Sequence, residues 1–237
     1  MSNSNSTKLE KPRLEKAGKQ RIVIVLLTMA IGWAIIFAGA GTLHYPAAWV
    51  FMVLQLIIFL TAGIYVIRKN PGIINERSKF KIEKKWDKVF MWLYTPQMIL
   101  MPLVAGLDYR FGWSAVPLWL QITSFVMLIP GMMLPYWAML VNNYLITTVR
   151  VQEERDHAVV TTGPYSIVRH PMYSGIILSS LFTPLALGSW WALIPGGIAV
   201  ATITYRTVME DKMLQDELPG YKEYMQQTKF RLLPGIW

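Results

Sequence analysis

Cysteine is absent from the chain. No disulfide, thiolate nucleophile or zinc–thiolate site can be built from it. Histidine is scarce: His44, His157 and His170 lie far apart and have no carboxylates at ligand spacing, so no metal site is expected. Charge is also thin, with Asp, Glu, Lys and Arg making up 16% of residues, against roughly 25% in a typical soluble domain. None of that charge falls inside the long apolar stretches 22–40, 47–67, 89–107, 113–141, 174–187 and 190–205. Ion pumps and proton-coupled transporters place ionisable groups within the bilayer, where they are costly and therefore functional. The empty spans argue against a transporter. A nucleic-acid motif or a soluble basic domain is missing too, so the net charge of +9 has to be explained otherwise.

Hydrophobic residues make up 54% of the chain, and the mean hydropathy is +0.35. A crossing helix needs about 20 apolar residues, which the first four stretches supply singly. The last two are shorter and flank "GSWW" (188–191), which reads as the tip of a helical hairpin. The expected fold is an all-α integral membrane protein of about six transmembrane helices with a cytoplasmic cofactor-binding segment. Three regions follow: a basic tail (1–21), four scaffold helices that also give the substrate its access (22–141), and a catalytic region (142–237). Residues 1–7 are polar, and the basic run after them enters a full-length span with no small-residue cleavage site. The first span is therefore expected to be retained as an anchor.

The basic residues orient the chain. Six Lys/Arg lie in 1–21, eight in 68–88, three in 142–173 and five in 206–237, leaving Arg110 alone for the alternate loops. By the positive-inside rule both termini and the 142–173 segment are cytoplasmic. The positive charge then faces anionic headgroups, and the individual lysines of 76–88 are expected to be solvated.

The polar chemistry is concentrated at the cytoplasmic ends. "TTGPYSIVRHPMYSG" (161–175) opens with turn chemistry, Gly allowing positive φ and Pro fixing the next one. Pro171 suits the first position of a helix. The N–H groups of Met172 and Tyr173, free at such a start, would form an anion site beside Arg169 and His170, and simple interfacial anchoring explains the same residues equally well. In "YRTVMEDKML" (205–214) Arg206 and Glu210 are four apart and share a helix face. A surface ion pair is one reading, and a ligand clamp is the other, the Arg gripping a carboxylate. A short 188–191 connection would bring this cluster level with 163–173. Asn142 and Asn143 are expected to cap the fourth span, "PGMMLP" (130–135) to kink it, His44 to sit in an interfacial turn, and the tail "RLLPGIW" to pack under the site.

"HAVVTTGPYSIVRHPMYSG" (157–175), "RTVMED" (206–211) and "GYKEYMQQTKFRLLPGIW" (220–237) together resemble the isoprenylcysteine carboxyl methyltransferases, in their prokaryotic branch. The resemblance covers about 150–237. It implies a membrane-embedded S-adenosylmethionine-dependent methyltransferase that releases S-adenosylhomocysteine. The cofactor would be held by His157, Ala158, Val159, Val160, Tyr165, Arg169, His170, Pro171, Met172, Tyr173 and Glu210, with Arg206 facing the acceptor. Gln152 corresponds to a cofactor-binding glutamine, although its spacing departs from the family's by two residues. The acidic run after Arg206 is also shorter than in the family. The implied partners are a lipophilic small molecule or prenylated acceptor entering from the bilayer and the membrane lipids themselves, without nucleic acid or metal. A carboxylate acceptor is favoured. A phospholipid N-methyltransferase, which shares the Arg-His-Pro turn, remains an alternative, as do a nicotinamide-dependent sterol-type reductase and a non-catalytic lipid-binding protein.

Overall fold

A computed structural model describes residues 13–79 and 82–237. The first twelve residues of the basic tail and two positions in the 68–88 loop lie outside it. The described residues form helices and connections, with no strand among them. Four helices are long and apolar enough to cross a membrane: Lys16–Ala40, Pro46–Lys69, Lys85–Phe111 and Leu118–Val141. The first is α1. The second is α2 (Pro46–Ile58) continued through a π-helical turn into α3 (Ile64–Lys69), and the others are α5 and α6. Between them α4 (Pro71–Ser78) is a short helix outside the spans. Local signals set these boundaries. Gly41 closes α1 at φ 65°, returning its N–H to Phe37 and Ala38 carbonyls. Pro46 opens α2, while Asn70 caps α4 ahead of Pro71.

The helices outrun the apolar stretches that announce them. A hydropathy reading stops at the first charge, whereas the backbone ladder does not, so α1 takes in Arg21, α5 takes in Asp87, and α8 (Leu193–Glu217) runs far beyond residue 205. The fifth and sixth apolar stretches become α7 (Pro171–Ala186) and α8. With 16 residues, α7 is shorter than a full crossing by itself, and the C-terminal half of α8 is charged.

α6 and α7 meet at unusually short range because each carries a glycine at the contact. A Cβ on Gly175 would stand 2.6 Å from the Gly131 carbonyl oxygen and 2.7 Å from Pro135 Cδ. At one end of the bundle three connections are tied together. Asp108 accepts from the Ser114 N–H (2.8 Å) and from the Ser114 and Ser189 hydroxyls (each 2.5 Å), while the Tyr45 hydroxyl donates to the Leu187 carbonyl. His44 lies in this exposed turn, its carbonyl accepting from Tyr109. At the other end α4, the start of α5, residues 142–170 and the C-terminal tail converge on α7 and α8 around a buried cluster that includes Ile73, Phe90, Tyr165, Tyr173 and Leu232. The outer surfaces of the spanning helices are apolar and exposed, as at Leu118 and Trp119, which suits lipid as solvent.

Candidate active site

Residues 142–170 contain only short 3₁₀ turns but are pinned along their length. The Asn142 side chain ends α6 by accepting from the Tyr144 N–H at 2.8 Å, and Asn143 accepts from Asn70 at 2.6 Å. The Thr147 hydroxyl donates to the Arg77 carbonyl at 3.0 Å. The Val149 N–H donates to Asp87 Oδ2 at 3.1 Å. Tyr144 stacks on His157, centroids 4.3 Å apart. The Gln152 N–H points at His157 Nδ1 (3.3 Å), so that nitrogen is the acceptor. Burial, reinforced by Arg155 and Arg150, lowers the His157 pKa to about 4 and keeps the ring neutral at physiological pH.

The chain then turns at Gly163, whose φ of 61° favours glycine, and α7 opens at Pro171. The expected anion cradle at this start is only half available. The Tyr173 N–H already donates to the His170 carbonyl at 3.0 Å, because the first turn tightens on its cap residue. The backbone of Arg169 and His170 donates to the carbonyls of Phe230 and Arg231, each at 2.9 Å. The Ser174 hydroxyl donates to the Leu232 carbonyl at 2.6 Å. The tail therefore underlies the site, as its sequence suggests.

Two buried carboxylates organise the cations. Asp211 of α8, fully buried, accepts from Arg169 Nε and Nη2 (2.9 and 3.1 Å), Tyr221 (2.8 Å) and Arg231 Nε (2.9 Å), with His170 Nε2 at 3.1 Å. Burial alone would raise its pKa, but the hydrogen bonds from His170, Arg169 and Arg231 hold it well below the usual carboxylate range. Arg169 and His170 are thus anchors of the fold as well as neighbours of the cavity. The second carboxylate is Asp87, whose Oδ1 lies 3.2 Å from Arg206 Nη2. Arg206 also donates to the Thr147 carbonyl at 2.9 Å and sits over the Phe90 ring, 4.2 Å from its centroid. One turn on, Glu210 accepts from the Tyr173 hydroxyl, joining the α7 and α8 clusters.

A cavity of about 430 Å³ opens between these elements, within the range of roughly 300–1,000 Å³ usual for small-molecule sites. It is lined by 157–160, Tyr165, 169–173, Arg206 and Glu210. Of the residues singled out from sequence, Gln152 does not line it. That side chain is fully buried, its amide donating to the Tyr144 carbonyl (2.7 Å) and its oxygen accepting from Arg155 (2.6 Å). Among the lining or supporting residues that escaped the sequence reading are Arg21, Arg77, Arg150 and Asp87. The one available signal was the "KNPG" helix start at 69–72, which announces an ordered α4 inside the loop expected to be solvated.

A second cavity, about 520 Å³, lies among α1 to α7. Its walls are mostly apolar, including Trp33, Phe51 and Met101. Arg21, Thr28, Arg77, Tyr94, Met98, Met172 and Ile176 line both cavities.

Residues 123–216 match the model of the isoprenylcysteine carboxyl methyltransferase (ICMT) family. The protein-S-isoprenylcysteine O-methyltransferase of Dictyostelium discoideum is 26% identical over 164 residues, covering 65% of this chain and 68% of that protein. The protein-S-isoprenylcysteine O-methyltransferase B of Arabidopsis thaliana is 28% identical over 110 residues, covering 46% of this chain and 51% of that protein. These matches favour neither a phospholipid N-methyltransferase nor a nicotinamide-dependent reductase. Together with the four apolar helices, they support assignment of the chain to the isoprenylcysteine carboxyl methyltransferase family, as a membrane methyltransferase of that type.

Proposed function

We propose that this chain transfers the methyl group of S-adenosylmethionine to the carboxylate of a lipophilic, prenylcysteine-like acceptor. The carrying observation is the shared wall of the two cavities: a chamber beside the family motifs that carries five arginines and Glu210 abuts a more apolar chamber among the spanning helices. The first suits a cofactor and the second an apolar chain entering from the bilayer.

The residues of the first cavity fit the cofactor. Glu210, held by Tyr173, offers negative charge to a cationic ligand. Tyr165 is buried, its hydroxyl lying toward Asn142 without completing a hydrogen bond among the described residues. Residues 157–160 supply an edge of mostly apolar surface with a neutral imidazole at its head. When bound, S-adenosylmethionine supplies a methyl group activated on a cationic sulfur. A carboxylate acceptor is already ionised at neutral pH, so the protein needs no base for it. Its contribution is to align the acceptor oxygen and exclude water, effects worth several kcal/mol (~7–11 for full positioning). We assign Arg206 to the reacting end. Asp87 balances its charge, and the buried Nε of Arg206 has no hydrogen-bond partner among the described residues.

The same reading sets the topology. The 187–192 connection is bonded to the loops that follow α1 and α5, which supports α7 and α8 as the fifth and sixth crossings. The positive-inside pattern supports both termini and the site being cytoplasmic.

Titration of the detergent-solubilised protein with S-adenosylhomocysteine and with NADPH tests the cofactor. Labelled methyl transfer to N-acetyl-S-farnesylcysteine and to phosphatidylethanolamine tests the acceptor. Binding of S-adenosylhomocysteine alone and a base-labile ester on the prenylcysteine are expected. Binding of NADPH alone, or label on the phospholipid amine, overturns the reading.

A further inference from the structure

Five arginines line the first cavity: Arg21, Arg77, Arg150, Arg169 and Arg206. Three have carboxylate partners, namely Glu154 for Arg150, Asp211 for Arg169 and Asp87 for Arg206. Among the described residues, Arg21 and Arg77 have none. Arg77 makes one side-chain hydrogen bond, from Nη1 to the Leu145 carbonyl at 2.9 Å, and Arg21 makes none. Burial lowers the Arg77 pKa to about 10, and Arg21 and Arg206 push in the same direction, partly opposed by Tyr173. Partly desolvated guanidinium groups close enough to repel, without a counter-ion, describe a site waiting for an anion.

Their position says which anion. Arg21 and Arg77 line both cavities, whereas 157–160 and Tyr165 line only the first and Arg206 does not reach the second. An acceptor with its apolar chain in the second cavity would present its polar end at this junction. Resting on the function proposed above, we propose that Arg77, backed by Arg21, holds the carboxylate of the lipophilic acceptor where the two cavities meet. The pair thereby selects anionic over neutral acceptors of the same shape. Both residues lie outside 123–216, the region that matches the family model. Arg206, held by Asp87 and the Thr147 carbonyl, then faces the same carboxylate from the cofactor side through its unpartnered Nε.

The other carboxylate this chemistry could take is the one on the cofactor, and the experiment separates the two. Affinities of the full-length wild type, Arg77→Gln, Arg77→Lys and Arg21→Gln are measured in detergent for three probes: S-adenosylhomocysteine, N-acetyl-S-farnesylcysteine and its carboxamide. Arg77→Gln is expected to weaken the acid by roughly 10- to 100-fold, the scale of a lost charge-assisted hydrogen bond. Carboxamide and S-adenosylhomocysteine affinities should stay within about twofold, below any such loss. Arg77→Lys should recover part of the acid affinity, and Arg21→Gln should lower it by a smaller factor. Because the Arg21 side chain makes no hydrogen bond among the described residues, that variant reports even if Arg77→Gln does not fold. Equal loss for acid and carboxamide, loss confined to S-adenosylhomocysteine, or no loss at all overturns the proposal. A wild type that prefers acid to carboxamide yet never binds S-adenosylhomocysteine would leave the anion site standing and remove the methyltransferase reading instead.

Discussion

Asp87, in the first turn of α5, lies 3.2 Å from Arg206 in the middle of α8, and both side chains are almost fully buried. The contact is an ion pair at close range without a hydrogen bond: Arg206 Nη2 donates to the Thr147 carbonyl, and Asp87 Oδ1 receives no hydrogen bond among the described residues. Asp87 Oδ2 meanwhile takes the Val149 N–H. One carboxylate thus ties α5, α8 and the 142–170 connection together at the rim of the cavity.

Removing that carboxylate leaves a buried guanidinium uncompensated. Asp87→Asn should therefore cost about 3–5 kcal/mol of stability, the scale for breaking a buried pair from one side. Thermal unfolding in detergent measures it. The double variant Asp87→Leu with Arg206→Met should regain much of the stability, because two apolar groups can replace a buried pair, yet it should remain inactive. Recovery of activity in that double variant would show that Arg206 has no part in the reaction.

Glu210 and Tyr173 make a second link between α7 and α8, and here the expected loss is functional. If the Glu210 carboxylate faces the sulfonium, Glu210→Gln should weaken S-adenosylmethionine roughly 10- to 100-fold and S-adenosylhomocysteine less. Equal weakening of both would move Glu210 to another part of the ligand. Titration calorimetry with the two ligands distinguishes these outcomes.

Protonation of His157 gives a prediction with a defined window. Its pKa falls from 6.5 to about 4 on folding, so between those values the unfolded chain holds a proton that the folded chain does not. Stability from this position is complete above pH 6.5 and is lost as pH falls towards 4. His157→Gln should flatten that part of the stability profile, read as thermal midpoint against pH. An unchanged slope would mean that the imidazole is more solvated than its stacking on Tyr144 implies.

The segments that carry the site were legible because their chemistry is local. A proline at the first position of a helix, a glycine at positive φ and an i,i+4 pair on one face each declare themselves within a few residues; 157–160 and the cofactor roles came from the family resemblance alone, and residues of both segments line one cavity. Arg21, Arg77 and Asp87 were not legible. Arg21 and Asp87 are charges at the edges of apolar runs and Arg77 lies within a basic loop, and in sequence such charges look solvated. The packing of α4 and the start of α5 against residues 145–149 turns Arg77 and Asp87 inward, and α1 packs against α4 beside Arg21. Gln152 is the complementary case: the family resemblance assigned it to the cofactor although its spacing departs by two residues, whereas its side chain bonds to Tyr144 and Arg155 and does not line the cavity.

The approach of α6 to α7 positions Pro171 to Tyr173 at the cavity, and it depends on the missing side chain at Gly175. A methyl group there would meet the Gly131 carbonyl and the Pro135 ring, both rigid. Gly175→Ala should therefore destabilise the protein by about 1–3 kcal/mol through overpacking and shift α7 enough to weaken ligand binding. Gly197 in α8 has open space where its Cβ would be, so Gly197→Ala should stabilise the helix by roughly 0.5–1 kcal/mol. The two variants add the same methyl group to neighbouring helices, and their thermal midpoints should move in opposite directions. Movement of both upward would mean that α6 and α7 can part without cost, and the close glycine contact would then have no role in holding the site.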